Sequence, residues 1–162
     1  MRPPKPPRPK PDALNKAVGL LARREQSRRE LTDKLKRSGY ARDEVDAAVG
    51  TVVDRGYQDD TRFAGVLARS RAAAGYGPRR IAAELKSHGL KAEAIAAALA
   101  GVDGDWQASA RRQLERHYGR KPAADAAERA RRAGFLLRRG FDAATVSALT
   151  RAECGDPDDG FD

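Results

Sequence analysis

Apolar residues recur three and four places apart along most of the chain, in short runs cut by glycine, and one run appears twice. Residues 27–49 (SRRELTDKLKRSGYARDEVDAAV) align without a gap on residues 77–99 (GPRRIAAELKSHGLKAEAIAAAL). Leu31 falls on Ile81, Leu35 on Leu85, Gly39 on Gly89, Val45 on Ile95 and Val49 on Leu99. A fainter third copy puts Gly140 and Val146 in the seats of Gly39 and Val45. Self-similarity with a period of about 50 residues predicts tandem supersecondary units. The pairs Leu31/Leu35 and Ile81/Leu85 each make one narrow apolar stripe on a helix. No such helix buries its stripe alone, so the helices of a unit must pack on each other and on the neighbouring unit.

Local signals predict where the elements begin and end. Ser27-x-x-Glu30 reads as a capping box, and Gly77-Pro78 as a cap followed by proline at the first helical position. Gly39 and Gly89 stand where a left-handed residue closes a helix. A further helix follows each, facing inward through Val45, Val49 and Val52 or through Ile95, Ala98 and Leu99; the first of these runs over 43–55 and stops at Gly56. A longer helix precedes each pair. The first, 13–26, is capped by Asp12 and buries Leu14, Ala17, Val18 and Leu21. The second, 60–74, is capped by Asp59 or Asp60, with Tyr57 placed to staple onto Phe63. The third opens at Trp106, expected in the seam between the second and third units, and helices over 123–139 and 142–153 follow. The predicted fold is all-α, three tandem three-helix repeats forming an elongated, curved array. Its segments are a basic proline-rich arm (1–11), repeats over 12–58, 59–102 and 103–153, and an acidic tail (154–162).

Composition narrows the chemistry. Charged residues make up 34% and aromatics 6%, which suits thin helical cores rather than one large core. No apolar run approaches membrane-spanning length, and no secretory segment follows Met1. The single cysteine, Cys154, excludes an internal disulfide and a cysteine-based zinc site, and a reducing cytosol is the simplest home. The net charge of +9 is spread along the chain, not held in one arm. Such a surface suits a long polyanion or an acidic groove on a partner, and equally an arginine-rich solvated exterior. Arginine binds phosphate and carboxylate in forked geometry, so the clusters at the helix joins are the candidate contacts: Arg23, Arg24, Arg28, Arg29, Arg69, Arg79 and Arg80. A second set is Arg111, Arg112, Arg131, Arg132, Arg138 and Arg139. Tyr76, between two glycines and beside arginines, could stack on a base or pack beneath its loop. No phosphate loop, HExxH, GxSxG or CxxC is present, and His88 and His117 stand alone. The expectation is a monomeric protein without catalytic residues, cofactor or metal.

The run Leu20-Leu21-Ala22-Arg23-Arg24-Glu25-Gln26-Ser27-Arg28-Arg29-Glu30-Leu31 resembles the opening signature of the bacterial RecX family. Gly56-Tyr57, Asp59-Asp60, Arg62-Phe63-Ala64, Gly75-Tyr76-Gly77-Pro78-Arg79-Arg80-Ile81 and Arg138-Arg139-Gly140-Phe141 resemble it too. Gln58 stands where the family usually has leucine, a departure expected to change little. The resemblance implies three tandem three-helix units and a modulator of the RecA recombinase. Proteins of this kind bind RecA and the RecA–single-stranded DNA filament, lie in its helical groove, and inhibit strand exchange, ATP hydrolysis and coprotease activity. A wedge between RecA protomers and a cap on a filament end are both compatible with the sequence. The rival from another class is a basic helical DNA-binding protein that acts without RecA and binds bare DNA tightly, whereas the favoured reading expects direct DNA binding to be weak beside filament binding; a helical scaffold for another partner is a third.

Overall fold

A computed structural model describes residues 9–152. Most of the expected basic arm, the end of the last expected helix at Glu153, and the acidic tail with Cys154 lie outside the described residues. The described residues form helices and no strands. The chain divides into two compact units that meet in sequence at Phe63 and Ala64.

The first unit holds α1 (Ala13–Leu21), α2 (Arg28–Arg37) and α3 (Arg42–Asp54), and ends within the first turn of α4 (Asp60–Ala73). α1 and α2 both pack on α3. The core is Ala13, Ala17, Leu31, Leu35, Val45, Ala48, Val49 and Val52, all buried, with Leu14, Leu20, Leu21, Tyr40 and Val53 packed at its edge. Val18, expected inside, is instead among the exposed large apolar residues. Alanine supplies the buried positions of α1 in its place.

α1 is also shorter than the expected 13–26. Gln26, itself buried, donates from Nε2 to the carbonyl of Leu20 at 2.8 Å, so a side chain satisfies a helix-end carbonyl and the chain turns. Asp12 caps the start through the amide of Asn15 at 2.7 Å. The end of the proline-rich arm is tied down here. The ammonium of Lys10 donates to the carbonyl of Ser38 and lies 3.9 Å above the Tyr40 ring, whose hydroxyl donates to the carbonyl of Pro11 at 2.5 Å.

The second unit runs from Ala64 in α4 through α5 (Pro78–Ser87), α6 (Ala92–Ala100), α7 (Trp106–Tyr118), α8 (Ala126–Arg139) and α9 (Ala143–Ala152). α5 packs on α6, and α9 packs on both α7 and α8. Ala64, Ala68, Ile81, Leu85, Leu90 and Ala98 are buried in the earlier half. Ala110, Leu114, Leu136, Phe141, Val146 and Leu149 form the later core, with Trp106, Tyr118, Ala133 and Phe135 packed on it. α8 starts at Ala126 rather than 123 because Asp125 accepts from the amide of Glu128 at 2.7 Å and caps it there. Gly39, Gly89 and Gly140 all take left-handed φ values (83°, 84° and 94°) just past a helix. The repeat of glycine in the sequence is therefore a repeat of one backbone need.

Candidate functional site

The two acids at the start of α4 have different jobs. Asp59 caps α4, accepting from the amide of Arg62 at 3.0 Å. Asp60 instead accepts from the amide of Arg28 at 2.9 Å, an orphan donor at the start of α2, and from Nε2 of Gln58 at 2.8 Å. Gln58 is buried and donates also to the carbonyl of Gln26 at 3.2 Å. Far from changing little, Gln58 joins the α1–α2 turn to the α3–α4 turn within the first unit. Ser27 completes the junction by accepting from the amide of Glu30 at 3.0 Å.

That junction sorts the arginines of the first unit. Arg24 pairs with Glu30, which also takes Lys34 at 2.9 Å. Burial alone would raise the Glu30 carboxyl, but the hydrogen bonds from Arg24 and Lys34 outweigh it and hold it at about 2. Arg62 pairs with Glu25 at 2.5 Å and donates to the carbonyls of Gly56 and Tyr57. Arg23, Arg28 and Arg29 are exposed. Tyr57, half exposed, lines an open recess with Val18, Leu21, Ala22, Gly56 and Arg62.

In the second unit the turn before α5 lies against the turn after α8. The amide of Gly77 donates to the carbonyl of Arg139, and that of Arg79 to the carbonyl of Gly140, each at 2.9 Å. A methyl group on Gly77 would run into the backbone of Gly140 and Phe141, and one on Gly140 into Arg80. This contact brings Arg79, Arg80, Arg138 and Arg139 together from residues far apart in sequence. The guanidinium of Arg80 lies 4.4 Å above the Tyr76 ring and that of Arg139 at 5.2 Å from it. Arg139 is also 5.5 Å from the ring of Phe135, which stacks on His117 at 4.5 Å. Tyr118 meets both rings edge-on, at 4.6 and 5.7 Å. Rings and cations thus adjoin in one series of contacts: Arg80, Tyr76, Arg139, Phe135, His117.

Arg132 does not belong to the candidate surface. It is 2% exposed, paired with Glu128 at 2.8 Å, bonded to the carbonyl of Lys121 at 3.0 Å and placed 5.1 Å from the Tyr118 ring. Its period on α8 turns it inward, whereas Arg131 and Arg138 are exposed. Arg111 and Arg112 are exposed on α7. Arg112 lines a recess with Arg69, Ser109 and the half-buried Trp106. Arg71, absent from the sequence-based candidates, forms a two-pronged pair with Glu84 at 2.8 and 2.7 Å, and its hydrogen bonds hold the Glu84 carboxyl below the usual range. Sequence reasoning also missed Phe135 and His117, which α7 and α8 bring together only through packing. Among the described residues no group of three or more His, Cys, Asp and Glu could hold a metal ion. No described helix is long and apolar enough to cross a membrane.

Family models match nearly the whole described chain: the first three-helix domain of RecX over 13–50, the second over 59–99 and the third over 103–149. The chain is 47% identical over 143 residues to a protein of Xanthomonas citri named regulatory protein RecX, covering 88% of each. It is likewise 47% identical over 146 residues to one of Stenotrophomonas maltophilia (strain R551-3) with the same name, covering 90% of this chain and 88% of that one. A crystal structure of RecX from Lactobacillus salivarius superposes with a TM-score of 0.74 at 19% identity, covering 88% of this chain and 94% of that one, which speaks to fold alone. With three tandem three-helix domains matched in order and close relatives over most of its length, this chain belongs to the RecX family.

Proposed function

We propose that this chain is a non-catalytic, cytoplasmic regulator of RecA. It binds RecA and the RecA–single-stranded DNA filament and inhibits recombination, ATP hydrolysis and coprotease activity, and so acts in DNA repair and the SOS response. One observation carries the reading: all three domains match the RecX models, and relatives at 47% identity are named regulatory protein RecX. The charge distribution supports it. The exposed arginines Arg23, Arg28 and Arg29 in the first unit, and Arg79, Arg80 and Arg138 in the second, lack a carboxylate partner among the described ion pairs. Charges of that kind favour encounter with a polyanionic filament. The chain works as a monomer, either as a wedge in the filament groove or as a cap on its end.

The test is a titration into a RecA filament on single-stranded DNA, following ATP hydrolysis, with a bare-DNA binding curve at the same salt. Hydrolysis should fall well below the concentration that coats bare DNA. Loss only once the DNA is saturated would leave the second reading, a basic helical DNA-binding protein acting without RecA.

A further inference from the structure

The strip on the second unit distinguishes its arginines from those elsewhere. Arg24, Arg62, Arg71 and Arg132 each spend their charge on a carboxylate. Arg80 and Arg139 are held by rings and carbonyls instead. Arg80 donates to the carbonyl of Arg138 and Arg139 to that of Ala74, both at 3.4 Å, and both guanidinium groups lie against the Tyr76 ring. The acids nearby are engaged: Glu84 by Arg71, and Asp142, which faces Arg79, by the amide of Thr145 at 2.7 Å. A guanidinium fixed by a ring keeps its charge and loses little freedom on meeting an anion.

We infer that the strip Arg80–Tyr76–Arg139–Phe135–His117 is a binding track for single-stranded nucleic acid, with Arg79, Arg131 and Arg138 as flanking phosphate contacts. Arg80 and Arg139 contact successive phosphates. His117, exposed and with one ring face on Phe135, offers a ring to a base. Planar groups and cations held side by side suit a strand that presents both planar bases and phosphates. An acidic protein face would need the charges but not the rings. A duplex would present phosphates but keep its base faces stacked. The track deepens the DNA-facing part of the proposed function, but it rests on the geometry of the second unit and requires no RecA.

The test uses the full chain, fluorescein-labelled dT15, a duplex of the same length, and anisotropy without RecA. Arg80→Ala and Arg139→Ala should each weaken dT15 binding about tenfold and His117→Ala somewhat less. Each lost phosphate contact should flatten the salt dependence by about 0.7 in log–log slope. Duplex binding should change much less. Arg80→Lys keeps the charge and the exposed position but not the planar contact, so it separates the track from charge alone and should restore only part of the affinity. Circular-dichroism melting confirms that each variant is folded, and Arg55→Ala, an exposed arginine in the first unit, controls for net charge. Three results would overturn the track: no binding of dT15 by the parent chain, equal losses for dT15 and duplex, or strip variants that bind dT15 as the parent does, a separate RecA-binding assay without DNA then showing whether those variants have lost RecA. Such a loss would make the strip a protein contact. Strip-dependent dT15 binding with RecA ATP hydrolysis untouched would sink the RecA reading and leave the track standing.

Discussion

The amide of Gly77 donates to the carbonyl of Arg139 at 2.9 Å, across a gap that has no room for a side chain on either Gly77 or Gly140. Two helix ends from different repeats thereby share backbone hydrogen bonds within one compact unit. The sequence reading assigns Gly77 to capping and Gly140 to helix termination; the structure adds that each also makes room for the other's strand of backbone.

Substitution at this crossing should therefore cost more than a cap. Gly140→Ala combines a left-handed residue, a penalty of about 1–2 kcal/mol, with a clash against the backbone of Arg80. Gly77→Ala meets backbone alone, and overpacking of that kind costs about 1–3 kcal/mol. Urea unfolding should give a lower midpoint for both. At Gly50, which a methyl would leave free of contacts, alanine should be neutral or stabilising. Equal midpoints for Gly77→Ala and the parent chain would mean the two turns do not meet.

Acid should weaken the first unit through Glu30. Its carboxyl sits at about 2 in the folded chain against about 4.5 unfolded, so the folded state binds the proton less readily. The stabilisation is fully present above about pH 4.5 and is lost as pH falls from there towards 2. Because Arg24 is largely exposed, solvent screens the pair and the contribution is about 1–2 kcal/mol. Glu30→Gln should flatten the acid limb of stability measured by chemical denaturation, and an unchanged limb would remove Glu30 as its cause.

The Asp59-Asp60 pair separates two capping roles. Asp59→Ala removes one cap and should cost about 1 kcal/mol. Asp60→Ala removes the acceptor for the start of α2 and also leaves the buried Gln58 amide short of a partner, adding about 1–3 kcal/mol. Gln58→Leu in the Asp60→Ala background should recover part of the loss, a coupling of about 0.5–3 kcal/mol by double-mutant cycle. Additive effects would show that the two side chains act independently.

How much of this was legible follows the range of each signal. The stripes Leu31/Leu35 and Ile81/Leu85 are local and periodic, and all four residues are fully buried. Such stripes, repeated with a glycine after each, carry the three-helix domains in the sequence itself. Val18 misled because an i, i+4 pattern does not say which of two neighbouring faces meets α3. The early stop of α1 depends on Gln26 reaching back six residues, and the role of Gln58 on a contact 32 residues away in sequence. The arginines were found as a class and not as individuals: pairing with Glu30, Glu84 or Glu128 is a matter of three-dimensional placement. The ring–cation strip was invisible for the same reason, since Tyr76, His117 and Phe135 come from three separate segments.

Adjacent Arg131 and Arg132 give the sharpest case. Arg131 is exposed, and its removal should leave stability within about 0.5 kcal/mol. Arg132 is 2% exposed and ties Glu128 to the carbonyl of Lys121 at the turn before α8. Truncating it leaves Glu128 and that carbonyl without their donor and opens space beside Tyr118. Glu128 retains solvent and the amide of Ala124 at 2.8 Å, so no buried charge is stranded and the loss should be that of the Lys121 hydrogen bond and the opened space, about 1–3 kcal/mol. Arg132→Met, which restores volume without the charge, should recover part of it. Urea unfolding of Arg131→Ala, Arg132→Ala and Arg132→Met orders the three. If Arg131→Ala proves the more destabilising, the inward and outward faces of α8 have been assigned the wrong way round.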